Sequence, residues 1–150
     1  MKKTKMRAGF TLIEIMVVLV IIGLLATIAG PKLFGNIDKA KITTAQTNIK
    51  VLKETLEIYK MDNGQYPTTD QGLDALVKKP EIEPIPEGYR KGGYMEEIPK
   101  DPWGREYIYR SPTDNEDRDF EIISYGADGQ EGGEDYDADI TSYVENEDNQ

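Results

Sequence analysis

Apolar and polar residues follow two different rhythms along the first 63 positions. Residues 10–30 are apolar almost without interruption, and Glu14 is the one charge among them. At about 1.5 Å per residue a helix of that length spans roughly 30 Å, the hydrocarbon thickness of a bilayer. After Gly30-Pro31 the pattern becomes periodic. Ala45, Ile49, Leu52, Leu56 and Tyr59 recur at spacings of four and three, while Lys50, Lys53, Glu54, Glu57 and Lys60 occupy the other side. That is the stripe of an amphipathic helix, and Asn63-Gly64 supplies a glycine C-cap. One helix of about 50 residues is expected, apolar all round over 10–30 and amphipathic over 31–63. Pro31 cannot donate to the carbonyl of Thr27, so a kink or a melted turn is expected there.

The remainder reads as a compact head over 64–142. YPTTDQGLDALV starts a short helix that turns Leu73, Leu76 and Val77 toward the amphipathic stripe. A proline-rich segment and a tight-turn region around DPWG follow, with Trp103 as the expected core plug. Residues 106–110 and 119–124 read as an antiparallel pair of strands joined by the turn-rich 111–118, and 143–150 as an acidic, solvated tail. The expected fold class is α+β: a long N-terminal helix, membrane-spanning in its first half and packed by its second half on a small antiparallel sheet.

Composition narrows the chemistry. The 150 residues fit one modest domain and include neither Cys nor His. Disulfides, thiolate nucleophiles, imidazole bases and the usual ligands of zinc or iron are thereby excluded, so any metal must be held by oxygen. Net charge is −10, and residues 114–150 hold fourteen acidic side chains against Arg118 alone. Such a segment argues against nucleic acid and for a solvated tail or a cation site. An enzyme would have to work with Asp and Glu alone, and these sit mostly in a glycine-rich loop, so a structural or binding protein is expected. Lys2, Lys3, Lys5 and Arg7 are the charges of the first nine residues, which favours a cytoplasmic N-terminus.

Glu14 needs an explanation, because a carboxylate in a membrane helix costs about 2.5–3.5 kcal/mol near mid-bilayer and less toward the edge. A removable secretory signal or a plain anchor has no use for it. A cut between Gly9 and Phe10 creates an α-amine four residues from Glu14, one helical turn away and near the positive end of the helix dipole. The run GFTLIE, after a short basic leader and before an apolar helix, resembles the class III signal of type IV pilins and of type II secretion pseudopilins. That resemblance implies removal of leader 1–9 by a prepilin peptidase after Gly9 and methylation of Phe10. It also implies pairing of Glu14 with an N-terminal amine on assembly, with Pro31 in the assembly segment.

YPTTDQGLDALV, DPWGREYIY and SYGADGQEGG extend the resemblance, to the G-type pseudopilin family, along nearly the whole chain. It implies a pilin-like fold and a homopolymeric periplasmic filament that supports export of folded proteins across the outer membrane. The implied partners are other copies of the chain, the peptidase, minor pseudopilins and an inner-membrane assembly platform. The implied location is a single pass in the bacterial inner membrane with the head in the periplasm. A type IV pilin and a membrane-anchored, calcium-dependent binding or adhesion module are the alternatives.

Residues 124–139 carry six carboxylates and four glycines. A mobile solvated loop is the plain reading of such a run. Glycines, however, let carbonyls and carboxylates converge, and Ca²⁺ takes six to eight oxygens at about 2.3–2.6 Å. If 135–139 are extended, Asp135, Asp137 and Asp139 project on one side. The EF-hand template is not met, since Gln130 and Gly132 stand where acidic ligands belong. The family resemblance implies a structural calcium held by Asp128, Asp135 and main-chain carbonyls around Tyr125, with Asp137 and Asp139 as secondary candidates. Many type IVa pilins close this region with a disulfide, which a chain without Cys cannot make.

Overall fold

The computed structural model describes residues 10–114 and 118–143, with the backbone alone over 26–36. The leader with Gly9, residues 115–117 and the tail 144–150 lie outside the described residues, as does the side chain of Pro31. The chain divides into two units, Met1–Asp38 and Lys39–Gln150. The second therefore takes in the amphipathic helical segment together with the head.

Helix α1 runs Leu12–Asn63 and continues through Gly30-Pro31, so no turn is melted there. Among the described residues no helix is long and apolar enough to cross a membrane. The described side chains of the apolar run stop at Leu25, short of the span that the sequence indicates. At its other end α1 stops as expected: Gly64 has φ +82° and its N–H donates to the Lys60 carbonyl at 2.7 Å, a left-handed cap that satisfies a carbonyl of the last turn. Thr43, Thr44, Thr47 and Thr55 donate their hydroxyls to carbonyls four residues back, at 2.7–3.0 Å. These β-branched residues thus sit in the helix with their polar groups satisfied.

All five stripe residues are buried, from Ala45 at 0 % to Ile49 at 4 % exposure. They form one core with Leu73, Ala75, Leu76, Tyr107, Tyr109, Phe120, Ile122 and Ile140. The short helix is a single 3-10 turn, Leu73–Leu76, and Val77 just beyond it is only half-buried. Trp103 packs against this core from its edge. The plug is aromatic but supplied from elsewhere: Tyr59 and Phe120 are the largest fully buried side chains, and the Tyr109 hydroxyl donates to the Pro67 carbonyl at 2.8 Å. A tyrosine tolerates such burial when its hydroxyl has a partner. Burial also pushes the Tyr59 phenol up to about 12, helped by Tyr94 and Tyr89 beside it, and raises that of Tyr109.

The sheet has three strands in the order β1-β2-β3: β1 Ile108–Arg110, β2 Glu121–Ser124 and β3 Ile140–Thr141. β1 and β2 are the expected antiparallel pair, shorter than the alternation indicates, with Tyr109 opposite Ile122 and Arg110 opposite Glu121. The third strand pairs Ile140 with Ser124. Two residues are too few to show a period of two, so its place at the far side of the acidic loop was invisible in the pattern.

One buried charge organises the turn before β1. Asp101 is 4 % exposed. Its Oδ1 accepts from the Trp103 and Arg105 amides at 3.0 and 2.7 Å, and its Oδ2 from the Ser124 hydroxyl at 2.9 Å. The DPWGR turn is thereby tied to the last residue of β2.

Two consequences follow for stability, both readable by chemical denaturation of the detergent-solubilised chain. Leu56→Ala opens a cavity in the helix–head core and lowers the unfolding free energy by about 3 kcal/mol. Asp101→Ala leaves two part-buried amides and the buried Ser124 hydroxyl without their acceptor and costs about 3 kcal/mol, whereas Asp101→Asn, which keeps an acceptor for the amides, loses distinctly less. Equal losses for the Ala and Asn variants would contradict this account of Asp101.

Candidate functional site

Residues 10–25 present an exposed apolar surface: Phe10 is 79 %, Leu12 80 % and Ile13 70 % exposed, and the large apolar side chains that follow stay largely exposed as far as Leu25. Glu14 sits in the first turn of this helix. Its carboxylate accepts from the Thr11 amide at 3.5 Å, and its own amide donates to the Thr11 hydroxyl at 3.3 Å. This reciprocal pair is a capping box, with Thr11 as N-cap and Glu14 at the third helical position. The sequence carries the signal for this box, Thr-x-x-Glu before an apolar run, beside the assembly role expected of Glu14. Phe10 stands outside the helix. Gly9, on the other side of the expected cleavage point, lies outside the described residues.

The acidic segment leaves β2 at Ser124 and returns at Ile140. Its first turn closes where the Gly129 amide donates to the Tyr125 carbonyl at 2.9 Å, and it is tied to the second half where the Ala127 amide donates to the Tyr136 carbonyl at 3.2 Å. Residues 135–139 are not extended as the one-sided arrangement requires. Asp135 has φ +54°, and the Asp137 amide donates to the Glu134 carbonyl at 3.0 Å, so Asp135 and Asp137 sit on a turn and Asp139 follows it.

Each candidate ligand has a definite place. The Asp128 side chain is exposed and its Oδ1 accepts from the Gln130 amide at 3.0 Å. Asp135 and Asp137 are exposed, and the Asp137 carbonyl backs onto Gly126, where a Cβ would lie 2.8 Å from it. Asp139 is half-buried; its Oδ2 accepts from the Gly132 amide at 2.9 Å, while its Oδ1 is buried with no hydrogen-bond partner. Among the described residues no three acidic side chains gather closely enough to hold a metal. The donor set nevertheless suits a hard cation. Every polar side chain on the turn offers oxygen, and one buried carboxylate oxygen lacks a partner, which is an expensive state for an ionised group.

A residue outside the expected set also reaches the loop. Arg105 donates from Nη2 to the Gly126 carbonyl, and its Nε lies 3.6 Å from Asp101 Oδ2. Nothing in the local pattern around DPWGREYIY marks it, because the contact spans 21 residues.

Comparisons with known proteins identify the family. A family model described as "Type II secretion system (T2SS), protein G" matches residues 32–143, and one described as "Prokaryotic N-terminal methylation motif" matches 4–30. The chain is 52 % identical over 143 residues to the type II secretion system core protein G of Vibrio cholerae, covering 95 % of this chain and 96 % of that one. It is 48 % identical over 139 residues to its counterpart in Pseudomonas aeruginosa, covering 93 % and 96 %. The crystal structure of the major pseudopilin from the type 2 secretion system of enterohaemorrhagic Escherichia coli superposes with a TM-score of 0.63 at 42 % identity, over 74 % of this chain and 93 % of that one. With a pilin-like α+β fold, a methylation motif at its N-terminus and the family match over its head, the chain belongs to the protein G family of type II secretion systems.

Proposed function

We propose that the chain is the major structural subunit of a type II secretion pseudopilus, a homopolymer that grows in the periplasm and drives folded proteins across the outer membrane. The observation that carries this reading is the open apolar surface of residues 10–25. A continuous apolar face of this size marks a surface made for lipid or for other copies of the chain. Before assembly it rests in the inner membrane, with the basic leader in the cytoplasm and the head in the periplasm. A prepilin peptidase removes the leader after Gly9 and methylates Phe10. Minor pseudopilins and the inner-membrane platform are the heterologous partners. The role is structural, without catalysis.

Within a bundle of identical helices Glu14 sets the register. An unpaired carboxylate there is costly, and the amine of Phe10 in a neighbouring subunit satisfies it. The contact is head-to-tail and does not close, which produces a helical filament. Pro31 belongs to the same assembly segment.

The head holds a structural calcium in the acidic loop. Asp128, Asp135 and the carbonyl of Tyr125 are the principal donors, with Asp139 contributing the oxygen that lacks a partner and Asp137 beside it. Bound there, the ion supplies positive charge to a segment that otherwise repels itself. With the ion held, these residues would pin the loop to the strands, a job comparable to that of the disulfide in many type IVa pilins.

Two experiments decide these points. Glu14→Ala leaves leader cleavage intact and abolishes filaments when the protein is overproduced; normal filaments from that variant would remove the registry role. Calcium raises the melting temperature of the detergent-solubilised chain over that in excess EGTA, reflecting stabilisation of about 2.7 kcal/mol at a hundredfold excess over Kd. Superimposable melting curves in calcium and EGTA would rule out the metal.

A further inference from the structure

We propose that Arg105 is a positioning residue and the resident cation of the acidic loop, holding its first turn, residues 125–129, in the folded form before any metal binds. The argument starts at Asp101. Its carboxylate is 4 % exposed and receives the Trp103 and Arg105 amides and the Ser124 hydroxyl. The backbone that carries Arg105 is therefore fixed relative to the end of β2, where the loop begins. Arg105 Nε lies 3.6 Å from Asp101 Oδ2, so the same buried carboxylate also attracts the guanidinium it has anchored.

From that position Nη2 donates to the Gly126 carbonyl. The guanidinium then lies against Gly129, where a Cβ would meet Nη1 at 2.5 Å and Cζ at 3.0 Å. Gly126 and Gly129 flank the turn closed by the 2.9 Å bond from the Gly129 amide to the Tyr125 carbonyl. One planar cation thus spans both ends of the turn, which the fork of an arginine does and the point charge of a lysine does not. The 131–139 half is built differently. It meets the first half where the Ala127 amide donates to the Tyr136 carbonyl at 3.2 Å, is held within itself by bonds such as the Gly132 amide donating to Asp139 Oδ2 at 2.9 Å, and contains the partnerless Asp139 Oδ1.

The loop therefore has a half that is set by the protein and a half left for a cation to order. This second statement rests on the calcium reading above; the first does not. Ordering half a loop sacrifices less conformational entropy than ordering all of it, so Arg105 strengthens metal binding without touching the metal.

Chymotrypsin distinguishes the halves, because Tyr125 reports the first and Tyr136 the second. In the detergent-solubilised full chain in EGTA, Arg105→Gln accelerates cleavage after Tyr125 about tenfold, as expected for losing a charge-assisted hydrogen bond, and accelerates cleavage after Tyr136, which the turn touches only through the Ala127 amide, distinctly less. Arg105→Lys falls between wild type and Gln. An unchanged rate at Tyr125, or equal acceleration at both tyrosines, overturns the positioning role. In a calcium titration, the concentration that half-protects Tyr136 rises about tenfold in Arg105→Gln. An equal concentration in both proteins would overturn the claim that the first half is prepared for the metal. If calcium protects neither protein, the calcium reading fails, while the EGTA comparison at Tyr125 still decides the role of Arg105.

Discussion

One apolar stripe carries the head. Ala45, Ile49, Leu52, Leu56 and Tyr59 line a single face of α1, and residues of the 3-10 turn and the sheet join them in one core with Tyr107 and Phe120. Three strands of two to four residues could not stand alone in water. The helix gives them a rigid surface on which each bulky side chain removes apolar area from solvent, at roughly 25 cal/mol per Å². Polar contacts then fix the perimeter: Lys60 pairs with Asp119 at 3.0 Å and lies over the Tyr66 ring, while Arg90 pairs with Asp62 at 3.0 Å and lies over Tyr94. These pairs are largely exposed and contribute geometry more than energy.

The far edge of the head lacks such a surface. The segment between β2 and β3 has few apolar residues to bury, and without cysteine it has no covalent closure. Its order comes from backbone bonds, from a buried carboxylate that reaches the end of β2, and from the arginine beside that carboxylate. The head is therefore built by two rules: hydrophobic burial near the helix, and charge and hydrogen bonding at the loop.

The first rule is legible in a sequence and the second is not. Spacings of four and three named the buried residues of α1 one by one, and Asn63-Gly64 marked its end, because both depend on neighbours along the chain. Strand order and the pairing of Ile140 with Ser124 depend on residues 16 positions apart, and two-residue strands carry no alternation. Trp103 attracted attention by its size, yet burial is a matter of where a turn points, and the DPWG turn points it at the margin. Among the acidic residues, composition identified the segment and the oxygen chemistry. It could not show that 135–139 turn instead of extending, or that Arg105 reaches across from a distant turn.

The capping box at the start of α1 has a consequence for the proposed assembly. Glu14 is already engaged, by a neutral amide one turn back on its own chain. An incoming ammonium group must therefore displace that donor, and it has the advantage because it adds the attraction of a full positive charge to a carboxylate that its own chain holds only by a long, 3.5 Å bond from an uncharged amide. An uncut chain has no such group at Phe10 and leaves the carboxylate committed at home. Removing the leader then acts less like exposing a vacant partner than like bringing a stronger bidder to a carboxylate that has been kept folded and correctly aimed throughout.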